Sequence, residues 1–473
     1  MTEKPTLRLD QVADLSFYIR TPKCLNLSDP GTGKTPPTCV GIWWKWQDLK
    51  MKTAWVMPKS LFRKNFDELL RFTNFTPDQI CILDGTPAQI AKKLKSGAIV
   101  FIMGFTRFGL EARELWAAGV RSVDVDEIHM GFGGATSQRT QKFMASAGNE
   151  MDRFIAMTGT LIDGRLDTAY PSIKVINPRF YPSHHAFMAY HSLQDENGKP
   201  LVWRNHEKLS KIFGTYGIRH TFEEIHGPEA KVIEVEPIEM HPRQREMYDK
   251  FHDDALLELD RFFVDGSEPG VATIRARQIM EHPNFFPDLT NPGAFTDILK
   301  GELPGKLDRL DVHLADHERS GKPLIIFSAL QPQQRQIVEM VKARGMSVAL
   351  INGDVPEKRR AEIDRDFQAG KIQVVVGSPA TAAVGFNWQF WGSQEVEHMI
   401  FVSMDYKDTN FIQAYRRAIR GKRKTFLRIT IFEYEHSLDQ RIFSIHREKS
   451  EMAKLVDPTR ERLTFSRYRV AAA

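Results

Sequence analysis

Short, mainly apolar runs separated by longer amphipathic stretches fall into two blocks of this sequence, and that spacing admits few architectures. The first block holds Cys24–Leu27, Thr53–Met57, Ala98–Met103 and Phe154–Met157. The second holds Leu324–Phe327, Val348–Ile351, Ile372–Val376, Met399–Val402 and Leu427–Phe432. A strand apolar on both faces must be covered on both, and strands alternating with amphipathic helices give the βαβ units of parallel sheets. Between about 165 and 300 the pattern turns polar, helical and aromatic, with one strand expected at Lys231–Val235. The expectation is an α/β chain of two parallel-sheet lobes. Residues 1–225 form the first, with a helical protrusion, and 226–473 the second, with a helical insertion.

The chain's 473 residues exceed one comfortable core, and two to four domains is the prior at ~100–200 residues each. With 42% hydrophobic and 26% charged residues, it is neither disordered, collagenous nor a disulfide scaffold. Three cysteines (Cys24, Cys39, Cys81) form no CxxC pair, so no zinc knuckle is available. Sparse thiols and an N-terminus without a charged-then-apolar signal fit an intracellular chain, cytoplasmic or nuclear. No apolar run approaches the ~18 residues that span a bilayer, so no membrane partner is expected. A net charge of +5 permits a polyanionic partner without demanding one.

Chemistry begins at Ser28-Asp-Pro-Gly-Thr-Gly-Lys-Thr35, directly after an expected strand. Glycines let backbone N–H groups turn inward on phosphate oxygens; Lys34 can reach the β and γ phosphates, and Thr35 can ligate Mg²⁺. Asp29, Gly31, Thr32 and Gly33 complete the loop. The plain alternative is a glycine-rich turn with a lysine beside it. Ser28 stands where glycine or alanine is usual, and Pro36 and Pro37 follow the threonine; proline is tolerated in a first helical turn, so a helix can start here.

A second strand ends in Asp126-Glu-Ile-His129. A carboxylate there can hold Mg²⁺, and the next can take a proton from attacking water. Alone, such a pair is a solvated strand end; its distance from Lys34 leaves room for the intervening strands of one nucleotide-binding lobe. Asp124, inside that strand, is at odds with an apolar centre. Met157-Thr-Gly-Thr160 follows another strand. In the second block, Gln413-Ala-Tyr-Arg-Arg417-Ala-Ile-Arg420 reads as helix, which puts Arg417 and Arg420 on one face. They are either a basic helix face or a pair of cations for γ-phosphate charge.

In this order the motifs resemble helicase superfamily two, and within it the Swi/Snf-type DNA translocases, over about residues 7–450. Leu7-Arg-Leu-Asp-Gln11 looks like the adenine-recognising glutamine segment, Asp126–His129 like the DExH box and Thr158–Thr160 like the coupling motif. Val56–Leu61 and Gly104–Thr106 look like DNA-contacting segments of lobe 1. Asn352-Gly353 with Arg360, Gly385-Phe-Asn387 and Gln413–Arg420 are similar to the lobe 2 motifs. Gln244–Tyr248 and Arg277–Pro283 echo the Swi/Snf branch, while Gly421-Lys-Arg-Lys424 departs from its glycine–glutamine ending.

The resemblance implies two RecA-like lobes with ATP and Mg²⁺ between them and DNA, duplex or branched, as the track. Thr35 and Asp126 would hold the metal, and Glu127 would be the general base. Gln11 would select adenine, Gly385 and Asn387 would join the nucleotide site, and Gln413, Arg417 and Arg420 would complete it, with Arg420 the finger. The alternatives are a strand-separating DNA or RNA helicase, a nuclease motor subunit, an AAA-type ATPase and a DNA-binding scaffold with an inactive motor fold. The segment from about 185 to 225 is the one unassigned candidate for a wedge.

Overall fold

The structure, a computed structural model, describes residues 4–146, 150–254, 256–259, 262–265, 269–286, 295–382, 386–419, 421–457 and 466–467. The chain divides into two compact units, Met1–Glu229 with Lys449–Arg462, and Ala230–Glu448 with Leu463–Ala473.

In the first unit, strands β1 (Lys23–Asn26), β2 (Lys52–Val56), β3 (Ile80–Ile82), β4 (Val100–Met103), β5 (Val120–Asp126) and β6 (Arg153–Met157) precede a hairpin of β7 (Ser192–Gln194) and β8 (Pro200–Trp203), then β9 (Gly217–Ile218). Apart from the hairpin they form one sheet in the order β3-β4-β2-β5-β6-β1-β9, parallel throughout. The apolar runs are buried on both faces because strand side chains alternate. Ala54 and Val56 join one core with Phe101 and Met103, while Trp55 and Met57 join another with Val100 and Ile102.

Asp124 has its explanation in Lys45. From the helix Thr35–Leu49, Lys45 puts its Nζ 2.7 Å from both Asp124 carboxylate oxygens and 2.8 Å from Ser122 Oγ. The pair ties the helix that follows the phosphate-type loop to the strand that ends in Asp126. Leaving either charge alone inside costs about 3–5 kcal/mol.

The 165–225 stretch is helical as expected, with helices Tyr170–Ile176, His184–His191 and His206–Tyr216, but it also supplies the β7–β8 hairpin and edge strand β9 beside β1.

The second unit contains β10 (Lys231–Ile238), a hairpin of β11 (Leu256–Leu259) and β12 (Phe262–Asp265), then β13 (Leu324–Phe327), β14 (Val348–Ile351), β15 (Val374–Gly377), a hairpin of β16 (Phe390–Trp391) and β17 (Gln394–Glu395), and finally β18 (His398–Phe401), β19 (Leu427–Tyr434) and β20 (Ser466–Arg467). Its main sheet, β14-β15-β13-β18-β19-β10-β20, is again parallel. The strand expected at Lys231 is β10. Both lobes are therefore parallel α/β sheets with helical insertions.

Gln244–Tyr248 and Arg277–Pro283 take scaffold positions. Gln244 Nε2 donates to Ile279 O at 3.1 Å, its Oε1 accepts from Tyr434 OH at 3.2 Å, and Tyr248 OH accepts the Leu438 N–H at 2.9 Å. Glu281 is buried against Lys306 Nζ at 2.9 Å, and Lys306 reaches Asp439 at 2.8 Å. Gln333 Nε2 donates to the other Glu281 oxygen at 3.0 Å. These segments bind the helical insertion to β19 and the turn after it.

Candidate nucleotide site

Five chain segments of the first unit leave the carboxyl edge of its sheet. They are the loop after β1 holding Lys34, Pro58–Leu61 after β2, Gly104–Thr106 after β4, Glu127–His129 after β5 and Thr158–Thr160 after β6. Loops at that edge of a parallel sheet are where such folds bind ligands.

The loop is closed by its own backbone. Gly31 (φ 91°) and Gly33 (φ 89°) occupy the left-handed region that disfavours side chains. A Cβ on Gly33 would also meet Gln11 Nε2 at 2.8 Å. Gln11 is buried, donates to Gly33 O at 3.0 Å, and accepts from Arg8 N at 3.0 Å. Lys34 Nζ donates to Ser28 O at 2.7 Å and Asp29 O at 3.0 Å, inside the loop. Thr32 Oγ1 donates to Asp29 O at 2.8 Å. Thr35 opens the helix, and Pro36 and Pro37 sit in its first turn, where no N–H is missed.

Asp29 turns elsewhere: its carboxylate accepts from Arg219 at 3.0 Å and from Phe222 N at 3.1 Å. His226 lies 3.1 Å from Gly31 O, and the Phe222 ring packs on Gly31. Sequence reasoning missed this brace from 219–226. The available signal was Thr221-x-x-Glu224, a capping box that starts the short helix Phe222–His226.

Asp126 and Glu127 are adjacent carboxylates at the end of β5. Burial, then the Glu127 charge, pushes Asp126 up to about 6, with Lys34 and Lys64 pulling the other way. Glu127 itself has φ 50°, an uncommon backbone for a residue with a side chain, and its N–H donates to Asp126 Oδ1 at 3.0 Å. His129 Nδ1 is 2.7 Å from Thr158 Oγ1 and 3.5 Å from Glu127 Oε2, so one ring joins the acid strand to the Thr158–Thr160 turn. Gly159 in that turn packs on the loop, since a Cβ there would meet Pro30 Cδ at 2.6 Å.

Among the described residues no group of three or more His, Cys, Asp or Glu could hold a metal. The donor set nevertheless fits Mg²⁺, which binds through one or two carboxylates plus substrate phosphates rather than an all-protein cage.

In the second unit Gln413 is buried on the helix Asp408–Tyr415, and Arg417 is largely buried just beyond it. The helix expected to run on to Arg417 ends at Tyr415, which is a correction. Arg417 N and Ala418 N turn back to Ala414 O and Tyr415 O in tighter i→i+3 bonds, and Trp388 N takes Arg417 O at 2.8 Å. Arg420 and Gly385 lie outside the described residues. Asn387 is exposed between Phe386 and Trp388, whose buried rings stack at 4.9 Å. Asn352 turns inward, donating to Gln334 Oε1 at 3.0 Å and accepting from Asp354 N at 3.0 Å.

Two parallel-sheet lobes, with a glycine-rich loop and an acidic strand end at one edge of the first, are similar in architecture to helicase-type ATPases. Residues 305–422 match the helicase conserved C-terminal domain. The zebrafish (Danio rerio) chromodomain-helicase-DNA-binding protein 1-like is 23% identical over 430 residues, 87% of this chain and 40% of that protein. The chain thus spans about two fifths of that relative's length. A solved structure of a Sulfolobus solfataricus SWI2/SNF2 ATPase core in complex with dsDNA aligns over 93% of this chain and 90% of its own, with 17% identity and a TM-score of 0.44. In the matched C-terminal domain and in this relative, the chain resembles helicase superfamily two, and within it the Swi/Snf type. Helicase ATPases in general hydrolyse ATP with Mg²⁺. No helix among the described residues is long and apolar enough to cross a membrane.

Proposed function

We propose that this chain is an ATP-driven translocase on DNA, acting on duplex or branched substrates. The observation that carries the reading is the convergence of the Lys34 loop, the Asp126–Glu127 pair and the His129–Thr158 link at one sheet edge. Lys34 binds phosphate, Thr35 and Asp126 hold Mg²⁺, and Glu127 accepts the proton of attacking water. The metal, when bound, neutralises phosphate charge. Gln11 is the adenine reader, with Asp29 serving the loop from behind. Gln413, Arg417 and Arg420 act on the γ-phosphate, and Gly385 and Asn387 belong to the nucleotide site by resemblance. The His129–Thr158 contact supports a relay of nucleotide state to the segments after β2 and β4, which meet the DNA backbone.

ATP turnover with and without duplex DNA tests this. Lys34→Ala should abolish hydrolysis. Glu127→Gln should still bind ATP while losing turnover, and Arg420→Ala should lose about 10³-fold or more, as finger arginines do. Undiminished turnover in Lys34→Ala rejects the site.

One observation favours a second reading, strand separation. In the segment that was the wedge candidate, the β7–β8 hairpin exposes Leu193 (49%), Leu201 (67%) and Val202 (55%).

A further inference from the structure

At the amino edge of the lobe 2 sheet, away from the strand ends that carry Asn352 and Ser378, lies a pocket of about 850 Å³. His317, His398, Phe390, Lys422, Lys424 and Phe426 line it. Four aromatic side chains are exposed among the described large hydrophobic residues, Tyr190, Phe295, Phe390 and Phe426, and two of them sit here, at 45% and 68% exposure.

The rim is built. Trp391 Nε1 is anchored on Ile372 O at 2.7 Å, and strand alternation then turns Phe390 outward on the β16–β17 hairpin. In the basic turn that departs from the Swi/Snf pattern, Arg423 points inward, donating to Val396 O at 2.6 Å and Thr425 O at 3.1 Å. Its neighbours Lys422 and Lys424 are exposed. Glu395 accepts from Lys424 N at 2.9 Å, Thr425 N at 2.8 Å and Thr425 Oγ1 at 2.9 Å, which holds the turn against the hairpin.

The four cations of the lining exceed its three carboxylates, Asp316, Glu395 and Glu397, by one. Lys322 pairs with Glu397 at 2.7 Å and Arg428 with Glu234 at 2.9 Å. The Lys422 and Lys424 side chains have no ion pair among the described residues. Two uncommitted ammonium groups beside two exposed aromatic faces match phosphate and base together: bases stack on aromatic rings whatever their sequence, while lysines track the backbone. An acidic peptide would use the lysines and leave the rings in water.

We propose that this pocket is a second nucleic-acid site, binding a short single-stranded segment with bases on Phe390 and Phe426 and phosphates at Lys422 and Lys424. The site needs neither ATP nor the motor reading, and its failure would leave the ATPase tests untouched.

The test irradiates the intact chain, without nucleotide, with a short single-stranded oligonucleotide carrying 5-iodouracil, and maps adducts by mass spectrometry. Adducts are expected on Phe390 or Phe426. The double variant Lys422→Glu/Lys424→Glu should lower their yield at least tenfold. It should also reduce the slope of log affinity against log salt for that oligonucleotide by about 1.4, as two single-strand phosphate contacts require. Phe390→Ala/Phe426→Ala should weaken binding about tenfold while keeping the salt slope. Thermal unfolding confirms that each variant is folded. Adducts that avoid both phenylalanines, or a yield unchanged by the lysine reversal, would overturn the proposal. Displacement of the oligonucleotide by a polyglutamate peptide of equal charge, at equal concentration, would overturn it in favour of an acidic-peptide site.

Discussion

Among the described residues each lobe buries one lysine, and the two are solved differently. Lys45 (2% exposed) meets a single carboxylate, Asp124, and burial holds its pKa below the usual lysine range despite that partner. Lys306 (0% exposed) meets two, and there Asp439 and Glu281 overcome burial and raise it. Burial in turn pushes both Asp124 and Glu281 upward. The lobe 1 pair is one ion pair, with Ser122 Oγ as a neutral third partner, that links the loop helix to the acid strand. The lobe 2 group is a network, in which the same carboxylates also serve Gln333 and the Tyr434 backbone N–H. A pair can be replaced as a unit. A network loses several partners at once.

The largest effect should come from Lys306→Met, which leaves two buried carboxylates facing each other. We expect about 3–5 kcal/mol of lost stability, read as faster amide exchange in β10 and β19 with β1–β6 unaffected. Lys45→Met should cost less, about 3 kcal/mol at the low end of that range, because a lone Asp124 can take up a proton. Its exchange signature should appear in β5 and the helix Thr35–Leu49. The double change Lys45→Met/Asp124→Leu should return to within about 1 kcal/mol of the parent. If it does not, the pair is more than a link, and the contrast with lobe 2 fails.

The smallest effect is one of pH. His398 is held well below the usual histidine range by burial and by His317, His313 and Arg428 around it, and His317 is lowered chiefly by burial. Their 2.9 Å N···N contact needs one ring to donate and the other to accept, so it cannot survive protonation of both. Since the unfolded chain takes the proton first, this stability is fully present above about 6.5 and is lost as pH falls toward the folded values. Between pH 7 and 5, His398→Asn should flatten the fall in lobe 2 stability by about 1 kcal/mol. Amide exchange of β18 at the two pH values reads it.

The lobes were legible because runs such as Val100–Met103 and Val374–Gly377 are apolar at every exposed-or-buried alternation, so only a sheet covered on both faces accepts them. β3 and β9 were not, because two or three residues carry no period, and pairing with β4 and β1 makes them strands. The loop at Lys34 could be read from glycine spacing, whereas its brace at Arg219–His226 depends on contacts nearly two hundred residues apart. The end of the helix at Tyr415 was illegible for a similar reason: 413–420 contains no breaker, and it is Trp388 N that claims Arg417 O. Asp124 looked wrong for a central strand until Lys45 supplied its partner.

The proposed motor moves along duplex DNA rather than parting its strands. Displacement of a triplex-forming third strand from a blunt duplex, compared at equal salt with unwinding of a single-tailed duplex, tests it most directly. ATP-dependent triplex displacement, abolished by Lys34→Ala, is expected, with slow unwinding of the tailed duplex. Fast unwinding without triplex displacement would contradict it and favour strand separation by the β7–β8 hairpin.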